Sequence, residues 1–221
     1  MRYRTILFDL DGTLIDHFAA IERSHIHTMR QLGLPVASPA RIRAAVGGGL
    51  ENALAQLVGP SRVAEALPIY RAYWDATMLD DVVLLPGARE LLASLHAAGV
   101  RTAVLTNKLG SSARLICDHL GLTPFLDAVV GAGDTQWLKP DPRLIQKVLD
   151  QLATSATTPR SELVDATLLV GDSPYDIEAA YQAGLTSWCV PTGTHTAAEL
   201  RAAGADWVFD NLKAMGAVLI P

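Results

Sequence analysis

Short apolar runs recur at residues 5–8, 101–105, 128–130, 167–170 and 185–190, several of them rich in β-branched residues and separated by segments of helical length. Runs of that length bounded by turn residues read as buried strands. Their alternation with helical patterns predicts βαβ units, so the expected fold class is α/β: a doubly wound, Rossmann-like parallel sheet. The intervening helices carry boundary signals. Ser173-Pro174 offers an N-cap and a first-turn proline, Asp176 and Glu178 lie near the positive end, and Gly184 stands past the other end. Asp141-Pro142 opens the preceding helix in the same way, and its Leu144, Ile145, Val148, Leu149 and Leu152 fall on one apolar stripe.

Residues 16–81 break this rhythm. They hold no convincing strand, and Val63, Leu67, Tyr70 and Trp74 recur at helical spacing. The reading is a helical cap inserted after the first strand's loop and left near Leu85-Pro86-Gly87, with residues 1–15 and 82–221 forming the α/β core. The Thr/Ser-rich stretch at 154–161 reads as one exposed loop before a strand.

Composition narrows the class of function. A chain of 221 residues that is 50% hydrophobic can bury a large core, and a net charge of −5 with no basic stripe argues against a nucleic acid polymer as partner. The apolar run after Met1-Arg2-Tyr3-Arg4 is too short for a signal-peptide core and no stretch is long enough to span a bilayer, so the expectation is a cytoplasmic protein without a membrane partner. Cys117 and Cys189 lack a CxxC spacing and are expected as free thiols.

In doubly wound sheets ligands bind beyond the carboxyl ends of the strands, where this chain places its polar residues. The first strand ends in Asp9-Leu10-Asp11-Gly12-Thr13, the second in Thr106-Asn107-Lys108, and the fourth in Gly171-Asp172-Ser173-Pro174-Tyr175-Asp176, while Lys139 lies between the third and fourth. Carboxylates converging on one edge repel one another without a counter-ion, and hard oxygen ligands suit Mg2+. Magnesium implies a phosphate, hence a small phosphorylated metabolite as partner. One carboxylate can attack phosphorus while a second, two residues on, protonates the departing oxygen.

With these four motifs in order, the chain resembles the haloacid dehalogenase-like hydrolase superfamily, whose phosphatases carry DxDGT, a Thr or Ser, a lysine and GDxxxD. The resemblance implies that Asp9 is the nucleophile, forming an aspartyl phosphate, and Asp11 the general acid and then base. It implies Mg2+ on a side-chain oxygen of Asp9, the backbone carbonyl of Asp11 and the side chain of Asp172, with Asp176 behind them or reaching the ion through water. Thr106 and Asn107 would hold phosphoryl oxygens, and Lys139 would bridge these and the nucleophile. An acid at Asp11 favours a phosphatase over a dehalogenase. The helical insert stands where the family places a cap that admits small substrates.

A finer similarity, carried by Thr106-Asn107-Lys108, Gly171-Asp172-Ser173 and Val46-Gly47-Gly48-Gly49, is to phosphoglycolate phosphatases. Related capped members that hydrolyse pyrophosphate, sugar phosphates or nucleotides, or act as phosphoglucomutases, are alternatives. Gly47-Gly48-Gly49 precedes Leu50, Leu54 and Leu57, the apolar side of a short helix, and backbone N–H groups there suit an anion; Gly48 is thus a candidate for binding a substrate carboxylate, or part of a plain turn. His25 and His27, two apart, fall on different helix faces and do not suggest a shared metal. Val130-Gly131-Ala132-Gly133 lacks the third glycine of a dinucleotide fingerprint and reads as a tight turn. Trp137 places a bulky indole just before Lys139. A phospho-accepting receiver domain is the alternative from another class, disfavoured because its acceptor would follow the third strand, where Asp134 stands, and because it has no cap.

Overall fold

The computed structural model describes residues 2–153 and 159–220. The strands are β1 (Thr5–Phe8), β2 (Ile15–Asp16), β3 (Val83–Leu84), β4 (Arg101–Leu109), β5 (Ala128–Ala132), β6 (Thr167–Gly171), β7 (Thr186–Cys189) and β8 (Trp207–Val208). Six of them form a parallel sheet in the order β5-β4-β1-β6-β7-β8. The chain builds outward from β1 first to one side and then to the other, which makes the carboxyl end of β1 a switch point of the topology, where a crevice opens.

Side-chain alternation along the strands explains why the sheet is covered on both faces. Ile6 and Phe8 point into one core with Val104, Leu168 and Val170, whereas Leu7 points into the other with Ala103, Leu105 and Leu169. After the insert come α5 (Ala88–Ala97), α6 (Gly110–His119), α7 (Pro142–Leu152), α8 (Arg160–Asp165), α9 (Pro174–Ala183), α10 (Ala197–Ala202) and α11 (Leu212–Leu219). Helices α5, α6 and α11 cover the first face, α7 and α9 the second. The stripe Leu144, Ile145, Val148, Leu149 and Leu152 is buried, each side chain contributing about 1.5–3 kcal/mol. Both expected caps form: Asp141 accepts from Arg143 N, and Ser173 with Asp176 makes a reciprocal capping box, ended by left-handed Gly184.

Between β2 and β3 the chain is helical, with α1 to α4 at Phe18–Gln31, Pro39–Ala44, Leu50–Val58 and Val63–Thr77. The two short strands pair antiparallel, Ile15 with Leu84 and Asp16 with Val83, so the insert leaves and rejoins the core through one ribbon. Of the loop expected at 154–161, residues 154–158 lie outside the described residues, and the chain is already helical in α8 from Arg160. Both cysteines are buried and free. Among the described residues, no helix is long and apolar enough to cross a membrane.

Candidate active site

The carboxyl ends of β1, β4 and β6 bring the expected polar residues to one edge. Asp9 follows β1 and accepts a hydrogen bond on Oδ1 from Lys139 Nζ at 2.6 Å; the same ammonium donates to Asp176 Oδ1 at 2.6 Å. Asp172 accepts from Thr13 Oγ1 at 3.1 Å. Carboxylate oxygens of Asp9, Asp172 and Asp176 all lie within 4.8 Å of one another. Asp176 is fully buried and also accepts from Ser173 Oγ at 2.6 Å and from Ser173 N at 3.1 Å, which anchors it at the start of α9.

Three carboxylates around one ammonium leave an excess of negative charge, and the acids register it. Burial, only partly offset by Lys139, raises Asp9 to about 6. Burial and the adjacent Asp9 and Asp176 push Asp172 well above the usual carboxylate range. Lys139 is itself desolvated, but the two acids it pairs with outweigh this and hold it firmly charged. Such a set of hard, crowded, protonation-prone oxygens fits a divalent cation of the Mg2+ type.

Asp11 lies outside that cluster. Lys108 Nζ donates to both its carboxylate oxygens, at 3.0 and 2.8 Å, and His17 Nδ1 stands 3.5 Å away. Burial acts to raise its pKa, but Lys108 and His17 overcome this and hold the carboxyl well below its ordinary range. Lys108 lies over the Trp74 ring of α4 at 4.4 Å from its centroid, and Trp74 Nε1 donates to Ser112 Oγ at 3.2 Å. An ion pair on the acid is thus built against a residue of the insert.

Thr106 is buried beside the same crevice, its Oγ1 accepting from Lys108 N at 3.2 Å. Asn107, expected to hold phosphoryl oxygens, has its side-chain amide engaged within the protein. Its Nδ2 donates to Gly47 O at 2.9 Å and Lys139 O at 3.0 Å, and its Oδ1 accepts from Lys139 N at 2.8 Å. Both amide protons are engaged, so this side chain fastens the Lys139 segment and the insert's glycine loop to the sheet. Gly48 lines the cavity, but a Cβ there would come within 2.7 Å of Tyr175 Oη and 2.2 Å of Asn52 Nδ2, so close approach already accounts for the glycine.

Two further requirements were silent in the sequence. Gly12, at φ +84°, and Gly193 leave space for Asp172, whose Oδ2 would lie 2.6 and 1.7 Å from Cβ atoms at those positions. Thr192 Oγ1 donates to Gly12 O at 2.6 Å, tying the loop after β7 to the first motif. Lys108 lies where β4 loses its regular register between Leu105 and Leu109, so that Thr106, Asn107 and Lys108 all line the crevice. Nothing marked His17.

The remaining expectations resolve simply. Trp137 packs toward α7 under the Arg143 guanidinium, 5.3 Å from its ring centroid, and not toward the nucleophile. Gly133 has φ +88° in the turn after β5, and Asp134 is held by Arg114 at 2.7 Å, away from the acidic cluster where a receiver's acceptor would need to be. His25 is buried against Tyr70 and His27 stacks on Tyr73, at centroid separations of 4.7 and 4.1 Å.

The family model described as haloacid dehalogenase-like hydrolase matches residues 6–190. The chain belongs to that family. This haloacid dehalogenase-like hydrolase is 33% identical over 211 residues to the protein named "Probable phosphatase IndB" of Dickeya dadantii, covering 93% of this chain and 88% of that one. It is 32% identical over 181 residues to a phosphoglycolate phosphatase of Aquifex aeolicus, covering 82% and 81%. In fold it matches the crystal structure of a predicted phosphoglycolate phosphatase from Haemophilus somnus with a TM-score of 0.89 at 22% identity, over 99% of each chain.

Proposed function

We propose that the chain is a magnesium-dependent phosphatase of small phosphate monoesters, with Asp9 as nucleophile and Asp11 as general acid and then base. The observation that carries this reading is the division of labour between two acids two residues apart. Asp9 faces the cluster of Asp172, Asp176 and Lys139, while Asp11 is separated on Lys108. Residues 16–81 serve in it as a cap over the site, and the reaction is placed in the cytoplasm.

When bound, Mg2+ would be held by Asp9, Asp172 and the Asp11 carbonyl, with Asp176 behind, and would neutralise charge on the transferring phosphoryl. Lys139 holds Asp9 Oδ1, fixing the carboxylate's rotamer. An Asp9 oxygen attacks phosphorus, the bond to the leaving oxygen breaks, and that oxygen takes the proton of Asp11. In the resting site Lys108 keeps Asp11 ionised. A phosphate dianion competes for that ammonium, which weakens its hold on Asp11 and raises the acid's affinity for a proton. Asp11 then removes a proton from water, which attacks phosphorus and releases inorganic phosphate from Asp9.

Relatives named for phosphoglycolate support 2-phosphoglycolate as a substrate to test. The experiment is a panel of phosphorylated metabolites, including that ester, assayed for phosphate release with and without Mg2+. Acid quenching during turnover should leave a phosphoryl group on the peptide containing Asp9. Phosphate release without any such adduct would overturn the covalent route.

A further inference from the structure

The insert is seated on the core through Asn107 to Gly47, Trp74 to Ser112 and Lys108 over Trp74, yet a cavity of about 520 Å³ persists between them. That volume lies in the range of about 300–1,000 Å³ typical of pockets for ligands far larger than a two-carbon acid. Away from Asp9 its walls are mainly apolar, formed by Phe18, Ile21, Val46, Leu50, Trp74 and Leu138. The charged side chains that line the cavity from the insert, Arg71, Glu51 and Asp75, sum to one negative charge, which does not favour a second anion. Lys108 is shared between Asp11 and the incoming phosphate in the proposed reaction, and burial lowers His25 to about 4, leaving it neutral at pH 7.

We propose that the preferred ester carries an uncharged apolar body of several carbon atoms, an alkyl or ring group, seated against the insert, instead of a second carboxylate. The inference rests on the phosphatase reading only for placing the phosphate at the Asp9 end. Its energetic source is the removal of apolar ligand surface from water against the wall of Val46, Leu50 and Leu138.

Alkylphosphonates test this without turnover, because their C–P bond gives the site no leaving oxygen. The intact protein with Mg2+ is titrated calorimetrically with the n-alkyl series from methyl to hexyl and with 3-phosphonopropionate, an isostere of phosphoglycolate. Affinity should rise about fourfold per methylene until the cavity is filled, and hexylphosphonate should bind more tightly than 3-phosphonopropionate. Leu50→Trp should end that rise at a shorter chain. A flat series, no phosphonate binding, or tightest binding of 3-phosphonopropionate would overturn the proposal, and a series unaltered by Leu50→Trp would remove Leu50 from the site. Hydrolysis is scored separately: a rising series without phosphate release from any ester would sink the phosphatase reading and leave the cavity assignment standing.

Discussion

Replacing Asp9 by asparagine should abolish turnover and at the same time stabilise the metal-free protein. The side chain is 12% exposed and lies among Asp172, Asp176 and Lys139, and the rise of its pKa from 3.8 to about 6 measures the repulsion and desolvation that ionisation brings. At 1.36 kcal/mol per pKa unit that is about 3 kcal/mol at neutral pH. Partial exposure and coupling to Asp172 reduce it, and an amide oxygen still accepts from Lys139, so about 2 kcal/mol is the expected gain. The sign follows from linkage. A carboxyl whose folded pKa is raised contributes its full stability below about pH 4 and loses it as pH climbs to about 6. The gain from Asp9→Asn should therefore be absent at pH 4 and complete by pH 7, appearing as about 4–8 °C in melting temperature in the presence of a chelator. Phosphate release should fall at least about 10⁴-fold, since a carboxamide is a poor nucleophile. Equal or lower stability than wild type at pH 7 would refute the picture of mutually repelling acids, and retained turnover would refute Asp9 as the attacking group.

Asp11→Asn should slow the phosphorylation step more for an alkyl than for an aryl phosphate; pre-steady-state rates with equal losses would count against its acid role. Lys108→Met should raise the Asp11 carboxyl pKa toward the ordinary range, read by carbon NMR titration, and an unmoved resonance would show that Lys108 does not set it. Chelation, or Asp172→Ala, should remove most activity, and calcium should restore it poorly because its looser coordination permits bidentate binding of the nucleophile; full rescue by calcium would contradict this. Gly48→Val should disturb the Tyr175 and Asn52 contacts and raise KM alike for phosphoglycolate and an aryl phosphate, whereas a rise confined to the carboxylated ester would return the loop to substrate recognition.

What was legible in the sequence is what local pattern determines. Fully buried runs such as 167–170 and capped helices such as α9 declare themselves through period and end chemistry, and Asp9, Asp11 and Asp172 follow because strand ends converge in a doubly wound sheet. Strands β2, β3 and β8 are two residues each, too short to show a period. The role of Lys108 depends on Asp11, 97 residues away, and on Trp74 in the insert. The amide of Asn107 is a further case, since only tertiary placement shows it engaged by Gly47 and Lys139. Gly193 has meaning only once Asp172 is folded against it.

The antiparallel ribbon of Ile15–Asp16 with Val83–Leu84 bears on how such a protein can change over generations. Because both junctions are clamped side by side, the gap between them stays the same whatever sequence is threaded through. Closing that gap depends only weakly on the number of residues looped out, each doubling adding about 0.6 kcal/mol. The intervening helices form an exchangeable cassette, free to lengthen, shrink or be grafted from a homologue while the parallel sheet keeps its register. Selection for new leaving groups can then act on one contiguous stretch of gene, with Trp74 under Lys108 as the position where such a change reaches a reacting carboxylate.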